Sequence, residues 1–208
     1  MKITWYGHAC FKVEAEGGSV VIDPYAPGSV PGLRLPTPEA DKVLCSHGHH
    51  DHNYADGVRL SGKETGLKTG FIPCWHDSEQ GRLRGDNLIT VIDAEGLRLA
   101  HLGDLGHMLS PQQLEALGRV DVLLIPVGGF YTIDAMQARE LAAALKPGIV
   151  VPMHYRSAGF GLSNIGTVED FLSMRENVIR LESSVLDTDK VSAPATVVLS
   201  VDESARAE

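Results

Sequence analysis

The chain has 208 residues, 43% of them hydrophobic and 22% charged, which is enough to bury a substantial core in a single domain. Its formal net charge is −9, and its lysines and arginines form no run, so a nucleic acid held through its phosphates is not an expected partner. No stretch approaches the roughly 20 apolar residues of a membrane span, so no membrane partner is expected either.

The N-terminal segment "MKITWYGHACFKVE" alternates apolar and polar residues as a strand does, and it lacks the continuous apolar run of a signal peptide; the expected compartment is the cytoplasm. The same patterning predicts strands at about 2–6, 10–15, 19–23, 42–46, 69–74, 87–92, 97–102, 121–127, 148–154 and 196–201. Between Pro24 and Pro38 five prolines break any regular element, leaving a long loop that is either a binding loop or an excursion. Cys10, Cys45 and Cys74 lack CxxC spacing and read as reduced, small core residues. Helices are predicted in the second half. In "SPQQLEALG", Ser110 caps, Pro111 occupies the first turn and Gly118 stops the helix. "TIDAMQARELAAALKPG" is a second helix, capped by Thr132 or Asp134, and "TVEDFLSMRENVIRL" a third, opening on a capping box of Thr167 and Asp170. The runs "DVLLIPV" and "GIVVPMHY" are nearly all apolar, as in a sheet covered on both faces, so a layered α/β sandwich over residues 1–201 is expected, with a frayed tail at 202–208.

The densest chemical signal is "SHGHHDHN", residues 46–53, with four histidines and one aspartate in eight positions. His47, His49, Asp51 and His52 form the pattern HxHxDH directly after a strand, where a curling backbone gathers neighbouring side chains around one point. Imidazole nitrogens suit zinc and similar divalent ions, and carboxylates add harder contacts. One turn supplies only part of a site, and the chain supplies the rest at the ends of other apolar strands. His76 follows "GFIPCW", Asp104 follows "LRLAHLG" and His154 follows "GIVVPM".

Over residues 1 to about 175 this order of motifs resembles the metallo-β-lactamase superfamily. Within it, "ITWYGHACFKVE", "VVIDPY", "HLGDLGH", "PVGGFYTIDA" and "VPMHY" resemble a small branch related to the ascorbate-6-phosphate lactonase group. The resemblance implies a four-layer αββα sandwich. It implies that His47, His49 and His76 hold one metal, that Asp51, His52 and His154 hold a second, and that Asp104 bridges them. Asp51 thereby counts among the catalytic groups as well. Two divalent ions are implied, zinc first, with manganese, iron or nickel as alternatives. A hydroxide between them would be the nucleophile while one ion polarises the bond under attack, so no serine or cysteine is needed. The implied activity is hydrolysis of a small, anionic ester, lactone or phosphodiester; the alternative is a metal-binding or sensing protein of the same fold without turnover. Relatives of this kind commonly associate, so a homo-oligomer is a further expectation.

Other residues fall around this set. His50, at the variable position of the motif, is expected to point away from the ligands. His8 is expected to bind substrate or to stabilise the first turn. Leu105 departs from the family's usual Gly-Asp-Thr, which makes His107 a candidate proton donor to the leaving group. His101 is expected behind the ligands or in the core. Asp77 is open between pocket acceptor, orienting residue and turn residue. Arg156, two residues past His154, is a candidate for binding an anionic substrate group or else a surface ion pair, with Arg84 a weaker candidate.

Overall fold

The computed structural model describes residues 1–207. Strands β1 (Lys2–Gly7), β2 (Cys10–Ala15) and β3 (Gly18–Ile22) form an antiparallel meander. Two short strands, β4 (Glu39–Ala40) and β6 (Arg59–Leu60), pair with each other, and β5 (Lys42–Leu44) joins β3 in parallel. The second sheet begins with the antiparallel run β7 (Lys68–Trp75), β8 (Asp86–Ala94) and β9 (Leu97–His101), then continues in parallel through β10 (Val122–Pro126) and β11 (Ile149–Met153). Strand β12 (Val178–Arg180) closes its far edge, β13 (Val185–Asp187) pairs with β1, and β14 (Ala195–Val198) lies between β11 and β12. The sheet orders are 13-1-2-3-5 and 12-14-11-10-9-8-7.

A single apolar cluster joins the two sheets, with Trp5, Phe11 and Ile22 from the first and Leu99, Leu124 and Val151 from the second. Each such side chain contributes about 1.5–3 kcal/mol on burial, so the sheets form one cooperative core. All five residues of β10 and all five of β11 are buried, which explains why these strands carry no polar alternation. The architecture is the α/β sandwich that the motif order implied.

The helices α1 (Pro111–Leu117) and α2 (Ala135–Leu145) form where the sequence places them. Ser110 and Gln113 make a capping box, with Pro111 in the first turn and Gly118 at φ 61° ending α1. Asp134, not Thr132, caps α2 through an equivalent pair with Gln137, and Lys146 ends it in the left-handed region before Pro147.

Three expectations are corrected. The helix in "TVEDFLSMRENVIRL" is confined to α3 (Val168–Leu172); Asn177 adopts φ 52°, and Val178 and Ile179 enter β12, pairing with Thr196 and Val197 of β14. Tertiary pairing of β-branched residues outweighs the helical periodicity there. Thr167 makes no cap bond to the helix backbone; its hydroxyl lies 3.4 Å from the Asp170 carboxylate instead. The tail is not frayed over 202–207. Val201 and Ala205 are buried, Asp202 caps a short turn at Glu203–Ala205, and the Arg34 amide donates to the Ala205 carbonyl at 2.9 Å. The tail thereby pins the proline-rich loop, whose Val30 and Leu33 are also buried. Glu208 lies outside the described residues. Cys10 and Cys74 are buried, Cys45 is half-buried and all three are free. Among the described residues no helix is long and apolar enough to cross a membrane.

Truncation after Val201 is expected to lower the unfolding free energy by about 1–3 kcal/mol, because it strips the partners from Leu33 and Arg34. Denaturant unfolding of the two lengths measures this; equal midpoints would show that the tail's packing contributes nothing.

Candidate metal centre

The turn after β5, the ends of β7, β9 and β11, and the turn between β1 and β2 converge on one point. The histidine-rich turn is closed by the His52 amide donating to the His49 carbonyl at 2.9 Å and by Asn53 donating to the Gly48 carbonyl at 2.8 Å. This curl places His47 and His49 beside His76, three residues with ligand atoms within 4.8 Å of one another. A second group of the same compactness comprises His8, Asp51, His52 and His154. Asp104, only 2% exposed, joins them: its Oδ1 lies 3.2 Å from Nε2 of His52, and its Oδ2 lies 3.2 Å from Nε2 of both His76 and His154. The structure thus brings together all seven residues of the implied ligand set.

The far nitrogens of three of the imidazoles are held by fixed acceptors. Nδ1 of His52 lies 2.9 Å from the buried Asp23 carboxylate, Nδ1 of His76 lies 3.1 Å from the Tyr131 carbonyl, and Nδ1 of His47 lies 2.9 Å from Oγ of Ser46. Their Nε2 atoms are therefore aimed inward, the arrangement that orients imidazole ligands. Asp23 is itself locked by the Ser46 amide at 2.7 Å and the Ser46 hydroxyl at 2.6 Å. Asp104 is placed by its own amide, which donates to the Asn87 side chain at 3.0 Å, while Asn87 donates to the Leu102 carbonyl. Gly103 has φ 55°, and a Cβ there would collide with the Asn87 amide oxygen, so only glycine allows this approach. His8, Asp23 and His154 also have positive φ, at 51°, 50° and 53°. Such strain at non-glycine residues costs about 1–3 kcal/mol each and persists where the surroundings overdetermine it.

The electrostatics suit a cation. Burial, reinforced by nearby His52, lowers the His47 pKa to about 3; burial, then His154, lowers that of His8 to about 4. Both are neutral imidazoles, the form in which nitrogen binds metal. Burial works against the charge on Asp104, but His154 and His52 outweigh it and hold its carboxyl well below the usual range. Burial likewise disfavours a charged His52, and Asp104 with Asp23 overturns that, so positive charge at this ring is strongly favoured. Nε2 of His47, Nε2 of His52, Oδ1 of Asp104 and Nδ1 of His154 are buried without an aligned hydrogen bond. Leaving such groups unsatisfied costs about 1–3 kcal/mol apiece, and their concentration around one carboxylate fits a site for divalent cations.

Residues 2–154 match the family described as the beta-lactamase superfamily domain. The chain belongs to the metallo-β-lactamase superfamily. A UPF0173 metal-dependent hydrolase of Thermoplasma volcanium is 31% identical over 191 residues, spanning 76% of this chain and 84% of the relative. A UPF0173 protein of Pyrococcus furiosus is 34% identical over 181 residues, spanning 74% and 83%. A solved structure from Thermotoga maritima, of a proposed Zn-dependent hydrolase of the same superfamily, superposes with a TM-score of 0.75 at 33% identity, covering 95% of this chain and 97% of that one. This metallo-β-lactamase superfamily member is accordingly an enzyme of the metal-dependent hydrolase class.

Other expectations are redistributed. His107 does not line the metal cavity: its Nε2 accepts from the Trp75 amide at 3.1 Å and its Nδ1 donates to the Met108 carbonyl at 2.8 Å. With both nitrogens committed to backbone it braces the end of β7, and it has no free proton to deliver to a leaving group. Arg156 is directed elsewhere too, donating to the Ile165 carbonyl at 2.7 Å and lining a separate groove with Pro31 and Phe160. His8 is 1% exposed, with Nε2 3.3 Å from Oδ2 of Asp51, so it backs a ligand and has no surface to offer a substrate. His50 belongs to neither ligand group and stands exposed at the cavity mouth. His101 bridges two turns from the core: Nε2 donates to the Ala9 carbonyl at 2.8 Å, and Nδ1 accepts from the Gly103 amide at 3.1 Å. Asp77 is the turn residue among its three readings, accepting from the amides of Glu79, Gly81, Leu83 and Arg84.

Asp23, Ser46 and Asn87 were not singled out from the sequence. Asp23 stands in the predicted strand 19–23 and in the motif "VVIDPY", and nothing near it in sequence indicates that it meets His52.

Asp23→Ala is expected to weaken metal affinity by about 10- to 100-fold, measured by chelator competition, since His52 loses the group that orients it. An unchanged affinity would show that Asp23 is only a structural acceptor. His107→Ala is expected to lower the melting temperature while leaving the shape of the pH profile of kcat intact; loss of its alkaline limb would restore the proton-donor role.

Proposed function

We propose that the chain is a dinuclear metal hydrolase acting on a small, anionic ester, lactone or phosphodiester. The observation that carries this reading is the single buried carboxylate of Asp104, whose two oxygens reach the two histidine groups at equal distances of 3.2 Å. His47, His49 and His76 would hold one ion, Asp51, His52 and His154 the other, and Asp104 both. Five imidazoles and two carboxylates favour zinc, with manganese, iron or nickel acceptable to the same set.

When bound, divalent ions would supply an activated water and a Lewis acid for the bond under attack. The protein's own contribution is orientation. Asp23, Ser46 and the Tyr131 carbonyl fix the imidazole planes, and Asn87 fixes the carboxylate that faces both groups. Five of the seven ligand residues, His49, Asp51, His76, Asp104 and His154, line a cavity of about 510 Å³, a volume suited to a small molecule and too confined for a folded partner. The net charge of −9 disfavours a polyanionic substrate, whereas a small anion meets only the local field of the cavity.

Metal analysis by mass spectrometry is expected to find about two ions per wild-type chain. Asp104→Asn is expected to lose metal, and to lose turnover on a panel of phosphodiesters, lactones and esters by at least about 100-fold. A wild-type protein active with fewer than two ions per chain, or an Asp104→Asn variant with full activity, would overturn the dinuclear reading. Reconstitution of the stripped protein with each metal in turn ranks zinc against manganese, iron and nickel.

A further inference from the structure

The metal cavity contains, among the described residues, a single lysine or arginine, and it is Arg84. Arg84 ends the loop between β7 and β8, a loop that Asp77 holds rigid by accepting four of its amides, that of Arg84 among them at 2.7 Å. Its guanidinium lies over the ring of Tyr131, 5.5 Å from the centroid. Tyr131 is fixed in turn by Asn164, which donates to its hydroxyl at 2.7 Å, and its carbonyl is the acceptor that orients His76. The wall carrying Arg84 is therefore built onto the same backbone that positions a ligand.

Among the described residues the guanidinium has no carboxylate partner. Arg82, two residues earlier in the same loop, pairs with Glu79 at 3.2 Å, as Arg98 does with Asp93 at 2.7 Å. Arg84 makes no ion pair among the described residues, although the chain carries 27 acidic residues against 18 basic ones. The carboxylates that share the cavity with it, Asp51 and Asp104, are committed to the histidine groups. Stacking on Tyr131 supports the cation while leaving the edge of its planar fork free, and that edge matches two oxygens of a carboxylate or phosphate.

We propose that Arg84, supported by Tyr131, is the anion-recognising residue of the metal cavity, and that the substrate bears a carboxylate or phosphate group held there while the bond to be cleaved faces Asp104. This rests on the hydrolase reading above and assigns to Arg84 the role that the sequence offered first to Arg156. Arg84 is a binding residue that sets specificity, while the histidines and aspartates retain the chemistry.

The test uses metal-loaded wild-type protein and Arg84→Met, which removes the cation but keeps a long side chain over Tyr131. Each is titrated calorimetrically with inorganic phosphate and with succinate, and metal content and melting temperature are measured on the same samples. The expected result is binding weakened by about 10- to 100-fold for at least one anion, with metal content and melting temperature unchanged. Loss confined to phosphate assigns a phosphorylated substrate, and loss confined to succinate a carboxylate-bearing one. Equal binding of both anions by the two proteins overturns the proposal, as does failure of the wild type to bind either, or a weakening that accompanies metal loss. If the wild type holds fewer than two ions yet anion binding still depends on Arg84, the dinuclear reading fails and this assignment stands.

Discussion

Asp104 has almost no contact with solvent, yet it stays charged among imidazoles that have themselves been taken out of water. Burying a carboxylate in this way is strongly unfavourable unless positive charge lies within a few ångströms. The rest of the site is organised around meeting that condition. Three Nε2 atoms stand 3.2 Å from its oxygens, and two of the rings that carry them, those of His52 and His76, are held from behind by acceptors. Divalent cations answer the same electrostatic demand that raises the proton affinity of His52, which is why metal binding and the stability of this region are expected to be linked.

The scaffold that tolerates this concentration of buried polar groups is the apolar pair β10 and β11, with β9 beside them. Two of these strands end in a ligand or lead directly into one: β9 into Asp104 and β11 into His154. Strands are rigid and their ends are not constrained to alternate, so the transition from strand to loop is where a side chain can be turned into a cavity without disturbing the core. The positive φ values of His8, Asp23 and His154 mark that turning. His101 and Asn87 carry the rigidity across, connecting the β1–β2 turn to the Gly103–Asp104 turn and that turn to β8.

The proposed chemistry and the proposed recognition fall to different parts of the cavity. Its floor is built from histidines and aspartates on the turn after β5 and just past the ends of β7, β9 and β11, while Arg84 and Tyr131 stand on loops at the wall. Such a division lets one hydrolytic centre serve different substrates through changes in loops that leave the ligands untouched. The proposed anion site needs only a local cation, which Arg84 supplies within a chain of net charge −9.

The amino-acid sequence by itself pointed to the candidate ligands and to the two principal layers. HxHxDH is local, so its spacing gathers candidate metal ligands in one turn, and the strands that lead to His76, Asp104 and His154 show their apolar runs without reference to the fold. It also showed α1 and α2, whose caps are encoded within four residues of the helix start. Only the tertiary structure decided the rest. Strand β12 forms because β14 lies beside it, and the tail is ordered because Arg34 meets Ala205. The same holds for the second tier of the site. Whether His107 or Arg156 faces the cavity depends on which backbone groups surround it, and Asp23 is 29 residues from the His52 it orients. Arg84 likewise acquires its proposed role from Tyr131, 47 residues along the chain. Ligand motifs are legible because their geometry is set by neighbours in sequence; orientation and recognition are not, because they depend on contacts that exist only once the sheets have closed.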